Sequence, residues 1–330
     1  MGRLIVWMVL PLLILLPACA GAADGSPSPP AAPASPTSPG GGPRLGLAVS
    51  LTGPDAALGQ EQQGAAQLAV SYFNAQADHS GPPVTLVVQD SDTGDQGAIQ
   101  AFQALIAQPV VGIIGPTTSQ QAFSADPFAD QAKVPVLGAS NTAKGIPQIG
   151  DYIARVSAPA TVVAPPVVTA ALRLNPRIKQ VAVFYDADDA YAVSETGTFQ
   201  DAVKAHGLGL GPIQTFHTTD TAFQAPAAAA VQRAPDLVII SARPAAGGNL
   251  IQQLRALGYT GLIIGGNGLN TESLFPVCGS HCDGLLLGEA YNPAAPGPIN
   301  TAFRAAYQAQ YQQDPTQRAA LGSRRSGLAR

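Results

Sequence analysis

The chain has little charge and few aromatic residues for its 330 residues. Charged residues make up 12% and aromatic residues 6%, and the net charge is −4 at pH 7. It has no basic stripe, which excludes nucleic acid as a partner class. The four histidines lack the spacing of metal ligands, and we expect them at helix ends or in loops (His79, His206, His217 and His281). We therefore predict no metal site.

Motifs for catalysis and cofactor binding are also missing. No Gly-x-Gly-x-x-Gly follows a strand pattern, because Gly207–Gly211 falls where a helix ends. The candidate serines Ser71, Ser124 and Ser194 lack the context of a nucleophile elbow. The aspartates within residues 90–95 resemble half of a calcium loop, but helix capping explains them as well. We predict that the chain needs no cofactor and is not an enzyme.

The amino terminus carries an apolar run, Leu4–Leu16, that is too short to span a bilayer comfortably. One charge precedes it, and small residues flank the sequence Leu16-Pro17-Ala18-Cys19. We predict that residues 1–18 are a lipoprotein signal peptide and that the Cys19 thiol receives the lipid that holds the chain at the membrane. The alternatives are ordinary secretion with cleavage nearby and an uncleaved anchor. All three place the globular part outside the cytoplasm.

Residues 19–43 are rich in proline, alanine and serine. Residues 20–43 contain seven prolines and almost no large apolar side chains. Such a segment cannot bury enough surface to offset its ordering entropy. We predict a disordered tether that could reach about 70 Å in polyproline geometry.

Two further cysteines, Cys278 and Cys282, lie close together. In an oxidising compartment this spacing favours a local disulfide. A zinc site with His281 and a pair of free thiols are the alternatives, although no fourth zinc ligand follows at a usual spacing.

From residue 44 onward, short apolar strands alternate with helical stretches, as in parallel sheets covered by helices on both faces. The pattern occurs as two successive sets, which predicts two α/β domains over residues 44–157 and 158–288. The predicted strands are Arg44–Leu51, Val84–Gln89, Val110–Ile114, Val134–Leu137, Gln180–Tyr185, Gly211–Phe216, Leu237–Ile240 and Leu262–Gly265. Ligands of such sheets bind at the carboxyl ends of strands.

Two loops at those positions offer small polar groups. Gly115–Ser119 presents hydroxyls and backbone N–H groups at a helix start, which suits an anionic group such as a carboxylate. Gly138–Thr142 offers a second set of donors. Helix capping is the alternative for either loop.

An ordered set of segments is similar to the type I periplasmic binding proteins, specifically the branched-chain amino acid substrate-binding family of ABC importers. The segments are Ser50-Leu-Thr-Gly-Pro54 with Gly59, Leu68-Ala69-Val70 with Phe73-Asn74, Asp90 with its loop, Gly112–Ser119, Val134–Asn141, Ala154-Arg155, Asp189-Ala190-Tyr191 and Leu254–Tyr259. The resemblance covers residues 44–314. It implies two Rossmann-like lobes joined by a hinge, which close around a small ligand.

The resemblance also implies site residues. Ser119, with Thr118 beside it, matches the serine that binds a ligand carboxylate, and Tyr191 matches an aromatic residue of the cleft. Ala139 and Asn141, with Ser140 between them, match a backbone donor and a threonine of the family.

Three positions depart from the family pattern. Leu58 and Arg243 stand where amino-acid binders have aromatic residues, and Asn267 stands where well-known members have the glutamate that pairs with the ligand ammonium. A buried ammonium without a carboxylate partner is costly, and an Arg243 facing the cleft would favour an anionic ligand. We therefore expect a small polar ligand, namely an amino acid, an amide or a carboxylate.

The expected partners are that ligand and the permease subunits of an ABC transporter, and we expect a monomer. A ligand sensor that feeds a membrane receptor is an alternative. A truncated non-functional remnant and an α/β hydrolase-like enzyme are two others.

The last segment, residues 289–330, is predicted to return to the first lobe. Ile299–Gln313 has the pattern of a helix that packs there through Phe303, Tyr307 and Tyr311. The family continues with a further apolar helix, whereas Ser323–Arg330 is basic and has no periodicity. We therefore expect this segment to be incomplete.

Overall fold

The computed structural model describes residues 41–76 and 79–323, with the side chains of residues 321–323 left aside. The predicted signal peptide, Cys19, most of the predicted tether and the basic residues 324–330 lie outside the described residues. Within the part described, no helix is both long and apolar enough to cross a membrane.

The first sheet is built from residues 44–155. Its elements are β1 (Arg44–Val49), α1 (Ala56–Asn74), β2 (Thr85–Asp90), α2 (Asp95–Ile106), β3 (Ile113–Ile114), α3 (Ser119–Gln131), β4 (Val136–Gly138), a 3₁₀ turn (Ile146–Gln148) and β5 (Ile153–Arg155). The five strands are parallel and lie in the order β2-β1-β3-β4-β5. Helices α2 and α3 cover one face, and α1 covers the other.

The second sheet repeats this arrangement. Its elements are α4 (Ala160–Leu174), β6 (Gln180–Asp186), α5 (Ala190–Ala205), β7 (Gly209–Phe216), α6 (Gln224–Val231), β8 (Leu237–Ser241), α7 (Pro244–Ala256), β9 (Leu262–Gly265), a 3₁₀ turn (Glu272–Leu274), α8 (Phe275–Cys278), a second 3₁₀ turn (Gly279–Cys282) and β10 (Leu286–Leu287). The strands are again all parallel, in the order β10-β9-β8-β6-β7.

Strand β8 shows why these strands are apolar throughout. Leu237 and Ile239 pack with α4 and α5, whereas Val238 and Ile240 pack with α6 and α7. All four side chains are fully buried. A strand covered on both faces needs a continuous apolar run and not an alternating one. The predicted α/β fold with two parallel sheets is therefore confirmed.

Each sheet has one strand more than the sequence pattern predicted. The additional strands, β5 and β10, contain only three and two residues. Neither is long enough to show a strand periodicity. Asp95, expected to cap α2, lies in the first turn of that helix, and its N-cap is Gly94.

The segment after the second sheet returns to the first. Its helices are α9 (Pro298–Tyr311) and α10 (Gln317–Ser323). Phe303 and Tyr307 pack against Ala65 of α1, and the Tyr311 hydroxyl donates to the Gly64 carbonyl at 2.7 Å. Helix α10 packs against α1 as well.

Cys278 and Cys282 are joined by a disulfide that spans 5.6 Å between Cα atoms. Both residues are buried beside α7 in the core of the second sheet. The bond therefore cross-links α8 and the 3₁₀ turn that follows it, within the irregular segment between β9 and β10.

Candidate functional site: the cleft between the two sheets

A cleft lies where the carboxyl ends of strands from both sheets face each other. Its lining residues are Leu58, Thr117, Thr118, Ser119, Ser140, Thr142, Asp189, Tyr191, Arg243, Pro244, Asn267, Gly268, Gln317 and Arg318. The loops after β3 and β4 supply one wall, and the loops after β6, β8 and β9 supply the other. The free cavity is about 50 Å³. Ligand sites usually offer about 300 Å³ or more, so the chain's own side chains fill most of this cleft.

Ser119 begins α3, after a turn that depends on glycine. Gly115 has φ 124°, and a Cβ there would lie 2.0 Å from the Ala48 carbonyl oxygen. The Ser119 hydroxyl oxygen accepts from the backbone N–H groups of Thr142 at 3.1 Å and Ala143 at 3.2 Å. With both lone pairs occupied, this hydroxyl keeps its own hydrogen to donate.

Thr142 supplies a second hydroxyl to the same wall. The residue is buried, and its Oγ1 has no hydrogen-bond partner among the described residues. A buried hydroxyl without a partner is costly. Thr142 and Ser119 therefore form a pair of donors in need of an acceptor.

The hydroxyls of Thr118 and Ser140 are already engaged. Thr118 and Gln121 form a capping box at the start of α3, with the Gln121 N–H donating to Thr118 Oγ1 at 3.2 Å. Ser140 accepts from Gln62 at 2.6 Å and donates to the Thr117 carbonyl at 2.5 Å. Through these bonds, Thr118 and Ser140 fix the positions of the loops after β3 and β4.

Of the three predicted site residues in the loop after β4, Ser140 lines the cleft, whereas Ala139 and Asn141 do not. Ala139 and Asn141 are buried but do not line the cleft, and the Asn141 amide donates to the carbonyls of Pro116 and Thr118 at 3.1 and 2.8 Å. Thr142, one position after Asn141, also lines the cleft.

Tyr191 lies in the opposite wall, at the start of α5. Its hydroxyl donates to Glu195 at 2.6 Å and accepts from the Gly268 N–H at 2.7 Å. Burial raises the pKa of Glu195 to about 7, although the bond from Tyr191 opposes this. The hydrogen bonds connect α5 to the loop after β9.

Arg243 lies in the cleft but does not offer a free positive charge. Its guanidinium is ion-paired with Asp55 of the first sheet's loops and, at 3.3 Å, with Asp189 of the second. Burial opposes the charge, but Asp189 and Asp55 outweigh it and raise the pKa of Arg243. The expectation that Arg243 would bind an anionic ligand is therefore corrected: its charge is matched within the protein.

Asn267 and Leu58 line the cleft at the positions where the sequence departed from the family pattern. The Asn267 side-chain oxygen, Oδ1, is buried without a hydrogen-bond partner in the described part of the chain. It offers a neutral acceptor in place of a carboxylate. Leu58, on α1, is buried.

Sequence reasoning missed several lining residues. Asp189 was noted as a motif residue without a site role, and Thr142 was noted only as the end of its loop. Gln317 and Arg318 reach the cleft from α10, where their side chains donate to the Asn267 carbonyl at 3.2 and 3.4 Å. No local sequence signal indicates this contact, because 50 or more residues separate its partners.

Comparisons with known proteins agree with the fold. A family profile described as periplasmic binding protein matches residues 43–323. The Leu/Ile/Val-binding protein homolog 3 of Brucella melitensis is 25% identical over 264 residues, which cover 77% of this chain and 70% of that protein.

Two solved structures are similar over most of the chain. The leucine-binding protein LivK of Thermotoga maritima has a TM-score of 0.80 at 25% identity, covering 85% of this chain and 79% of that one. LivJ of Streptococcus pneumoniae, in complex with isoleucine, has a TM-score of 0.79 at 24% identity, covering 86% and 82%. Family members are substrate-binding proteins outside the cytoplasm, not enzymes. The chain therefore belongs to the type I periplasmic binding proteins, in the branched-chain amino acid ABC transporter family.

Proposed function

We propose that the chain is a lipid-anchored, extracytoplasmic solute-binding protein that captures a small carboxylate-bearing ligand in the cleft for an ABC importer. The observation that carries the proposal is the hydroxyl pair of Ser119 and Thr142. One hydroxyl keeps a hydrogen to donate and the other is buried without a partner. A carboxylate oxygen accepts hydrogen bonds from such donors.

The start of α3 adds to this preference for an anion. The first N–H groups of a helix have no partner within it, and the helix dipole favours negative charge there. Ser119 is the first residue of α3. One carboxylate would therefore meet hydroxyl donors and the positive end of a helix.

The ammonium half of an amino-acid site is weaker in this cleft. Asn267 offers a neutral oxygen, and the carboxylates of Asp55 and Asp189 are paired with Arg243. A ligand ammonium would lose its water and gain no free carboxylate. We therefore propose that a carboxylate without an amine binds at least as well as the corresponding amino acid.

We infer that ligand entry requires the two lobes to separate, because the free cavity of about 50 Å³ is smaller than ligand sites usually are. Hinge closure around a ligand is a common transition of two-domain binding proteins. The closed form would then be presented to the permease, with the lipid on Cys19 and the tether keeping the protein near it. The binding unit is proposed to be a monomer.

The test is thermal unfolding of the full-length chain in detergent at pH 7 with pentanoate, L-norvaline and pentylamine. These probes carry a carboxylate, a carboxylate with an amine, and an amine alone. At one hundred times its dissociation constant, a ligand adds about 2.7 kcal/mol of stability. We expect pentanoate and norvaline to raise the melting temperature and pentylamine to leave it unchanged.

Ser119→Ala is expected to reduce the carboxylate-induced shift by weakening affinity about tenfold. Ser124→Ala is the matched control, since its hydroxyl bonds within α3 at 3.2 Å. The comparison uses ligand-induced shifts, because Ser119→Ala also removes the two hydrogen bonds from backbone N–H groups. Absence of any carboxylate-induced shift in the unmodified protein, or equal shifts in both variants, contradicts the proposal.

A further inference from the structure

Arg318 is a buried cation in the wall of the cleft. It lies on α10 and is 7% exposed. Its guanidinium donates to the backbone carbonyls of Asn270 at 3.2 Å and Asn267 at 3.4 Å. Both acceptors are neutral, so these hydrogen bonds satisfy part of the guanidinium without forming an ion pair.

No carboxylate of the described residues lies within 4 Å of Arg318. Glu61 on α1 gives the largest favourable electrostatic contribution, but it acts from beyond ion-pair distance, and its carboxylate accepts a hydrogen bond from the Thr316 hydroxyl at 2.8 Å. Asp55, which also favours the charge from farther away, is bound to Arg243. Arg318 is therefore the cleft cation without an ion-pair partner in the described structure.

A cation in this position is costly to the protein. A buried charge is normally paired, and an unpaired one loses its hydration without compensation. Burial accordingly lowers the pKa of Arg318, although its guanidinium remains charged. An anionic group in the cleft would remove this cost, which gives a ligand of the right charge a source of affinity.

The chemistry of the guanidinium specifies the group that fits. Arginine has five N–H donors in a planar fork, and the backbone contacts of Arg318 use two of its nitrogens. The remaining donors suit a carboxylate, which accepts two parallel hydrogen bonds from one arginine. Lysine, a point charge, would not give the same geometry.

We propose that Arg318 binds a second carboxylate of the ligand, so that the preferred substrates are small dicarboxylates. This rests on the proposed function, in which Ser119 and Thr142 bind the first carboxylate. The two groups come from different elements, the loops after β3 and β4 on one side and α10 on the other. Arg318 is then a specificity-determining residue supplied by the returning segment.

A purely structural role for Arg318 makes a different prediction. In that case its bonds to Asn267 and Asn270 only hold α10 against the loop after β9. Its removal would lower stability and weaken all ligands by the same factor. A readout that compares ligands with one and with two carboxylates separates the two roles.

The experiment uses four five-carbon probes that vary the two groups independently. Pentanoate has one carboxylate, glutarate has two, and L-norvaline and L-glutamate are the same pair with an α-amine. Affinities for the full-length chain in detergent are measured by calorimetry at pH 7. We expect glutarate and glutamate to bind at least tenfold more tightly than pentanoate and norvaline, respectively.

Arg318→Met is expected to remove this preference, weakening the two diacids at least tenfold and changing the two monoacids less than threefold. Arg304→Met is the matched control, because Arg304 forms an exposed ion pair with Asp314 at 3.2 Å and does not line the cleft. Arg318→Lys keeps the charge without the fork, and we expect an intermediate preference. If Arg318→Met does not fold, Arg318→Lys replaces it in the comparison of monoacids with diacids.

The outcomes separate this proposal from the one on which it rests. Equal affinity of monoacids and diacids for the unmodified protein overturns the role of Arg318 and leaves the carboxylate site intact. A uniform loss across all four probes in Arg318→Met also overturns it, in favour of the structural role. Failure of all four probes to bind the unmodified protein overturns the proposed function and this inference together.

Discussion

Burial of a single residue, Glu195, makes the stability of the protein depend on pH. It is fully buried behind the cleft, accepts a hydrogen bond from Tyr191, and lies close to Asp189. Burial raises its pKa to about 7, against 4.5 for an ordinary glutamate. Between about pH 4.5 and 7, the folded state therefore holds a proton on Glu195 that the unfolded state has already released.

We expect Glu195 to make the folded state less stable as the pH rises from about 4.5 to 7, with no further change above that. The protons bound by the folded state exceed those of the unfolded state across this window, and the total effect is about 3 kcal/mol. Glu195→Gln should make stability depend less on pH between about 4.5 and 7, and the glutamine still offers Tyr191 a hydrogen-bond acceptor. Melting temperatures between pH 4.5 and 8 measure the difference.

The exposed Glu272 supplies the control, as Glu272→Gln. Asp126 also lowers stability as the pH rises, and it does so in every variant, because burial raises its pKa to about 8. The informative quantity is thus the difference in melting temperature between each variant and the unmodified protein at each pH. Parallel curves for the unmodified protein and Glu195→Gln would contradict the assignment.

At the scale of elements, α1 is held unusually close to the end of β1. A Cβ on Gly59 of α1 would lie 1.8 Å from the Ser50 carbonyl oxygen, which only a movement of the backbone can relieve. By contrast, a Cβ on Gly197 of α5 would meet nothing within 4 Å. Close packing therefore requires glycine at position 59, whereas position 197 has room for a side chain.

We expect Gly59→Ala to destabilise the protein by about 2 kcal/mol or more, because it forces α1 away from the sheet. Gly197→Ala should stabilise it by about 0.5–1 kcal/mol, since alanine is the better helix former. Urea unfolding of both variants checks this pair. A neutral effect at Gly59 would mean that α1 lies farther from β1 than the structure shows.

The same scale shows where sequence patterns work. Strands such as β8 were recognised because a run buried on both faces must be apolar at every residue. The two-residue strand β10 was missed, because its place in the sheet depends on pairing with β9 and not on a pattern of its own.

For the whole molecule, Arg243 connects the two lobes. Asp55 precedes α1 in the first lobe, whereas Arg243 and Asp189 belong to the second. The two carboxylates are almost completely buried. The Asp55–Arg243 ion pair therefore holds the two lobes together in this arrangement, and Asp189 keeps the guanidinium in place.

Arg243→Met should leave two buried carboxylates unpaired, and we expect it to cost about 3 kcal/mol or more. The loss should appear as lobe separation, measured as a larger radius of gyration by X-ray scattering, together with a lower melting temperature. Arg304→Met is again the control. A variant that melts earlier but stays as compact as the unmodified protein would contradict an interlobe role.

The sequence by itself determined the two parallel sheets, their helical cover and the loops that carry the cleft, because apolar periodicity and turn residues act over a few neighbouring positions. It also indicated Ser119 and Tyr191 as cleft residues. Only the tertiary structure decided which side chains face each other there. The Asp55–Arg243 pair joins residues 188 positions apart, and Arg318 arrives from a helix that packs on α1. Such contacts depend on how the elements pack together, and packing leaves no trace in local spacing.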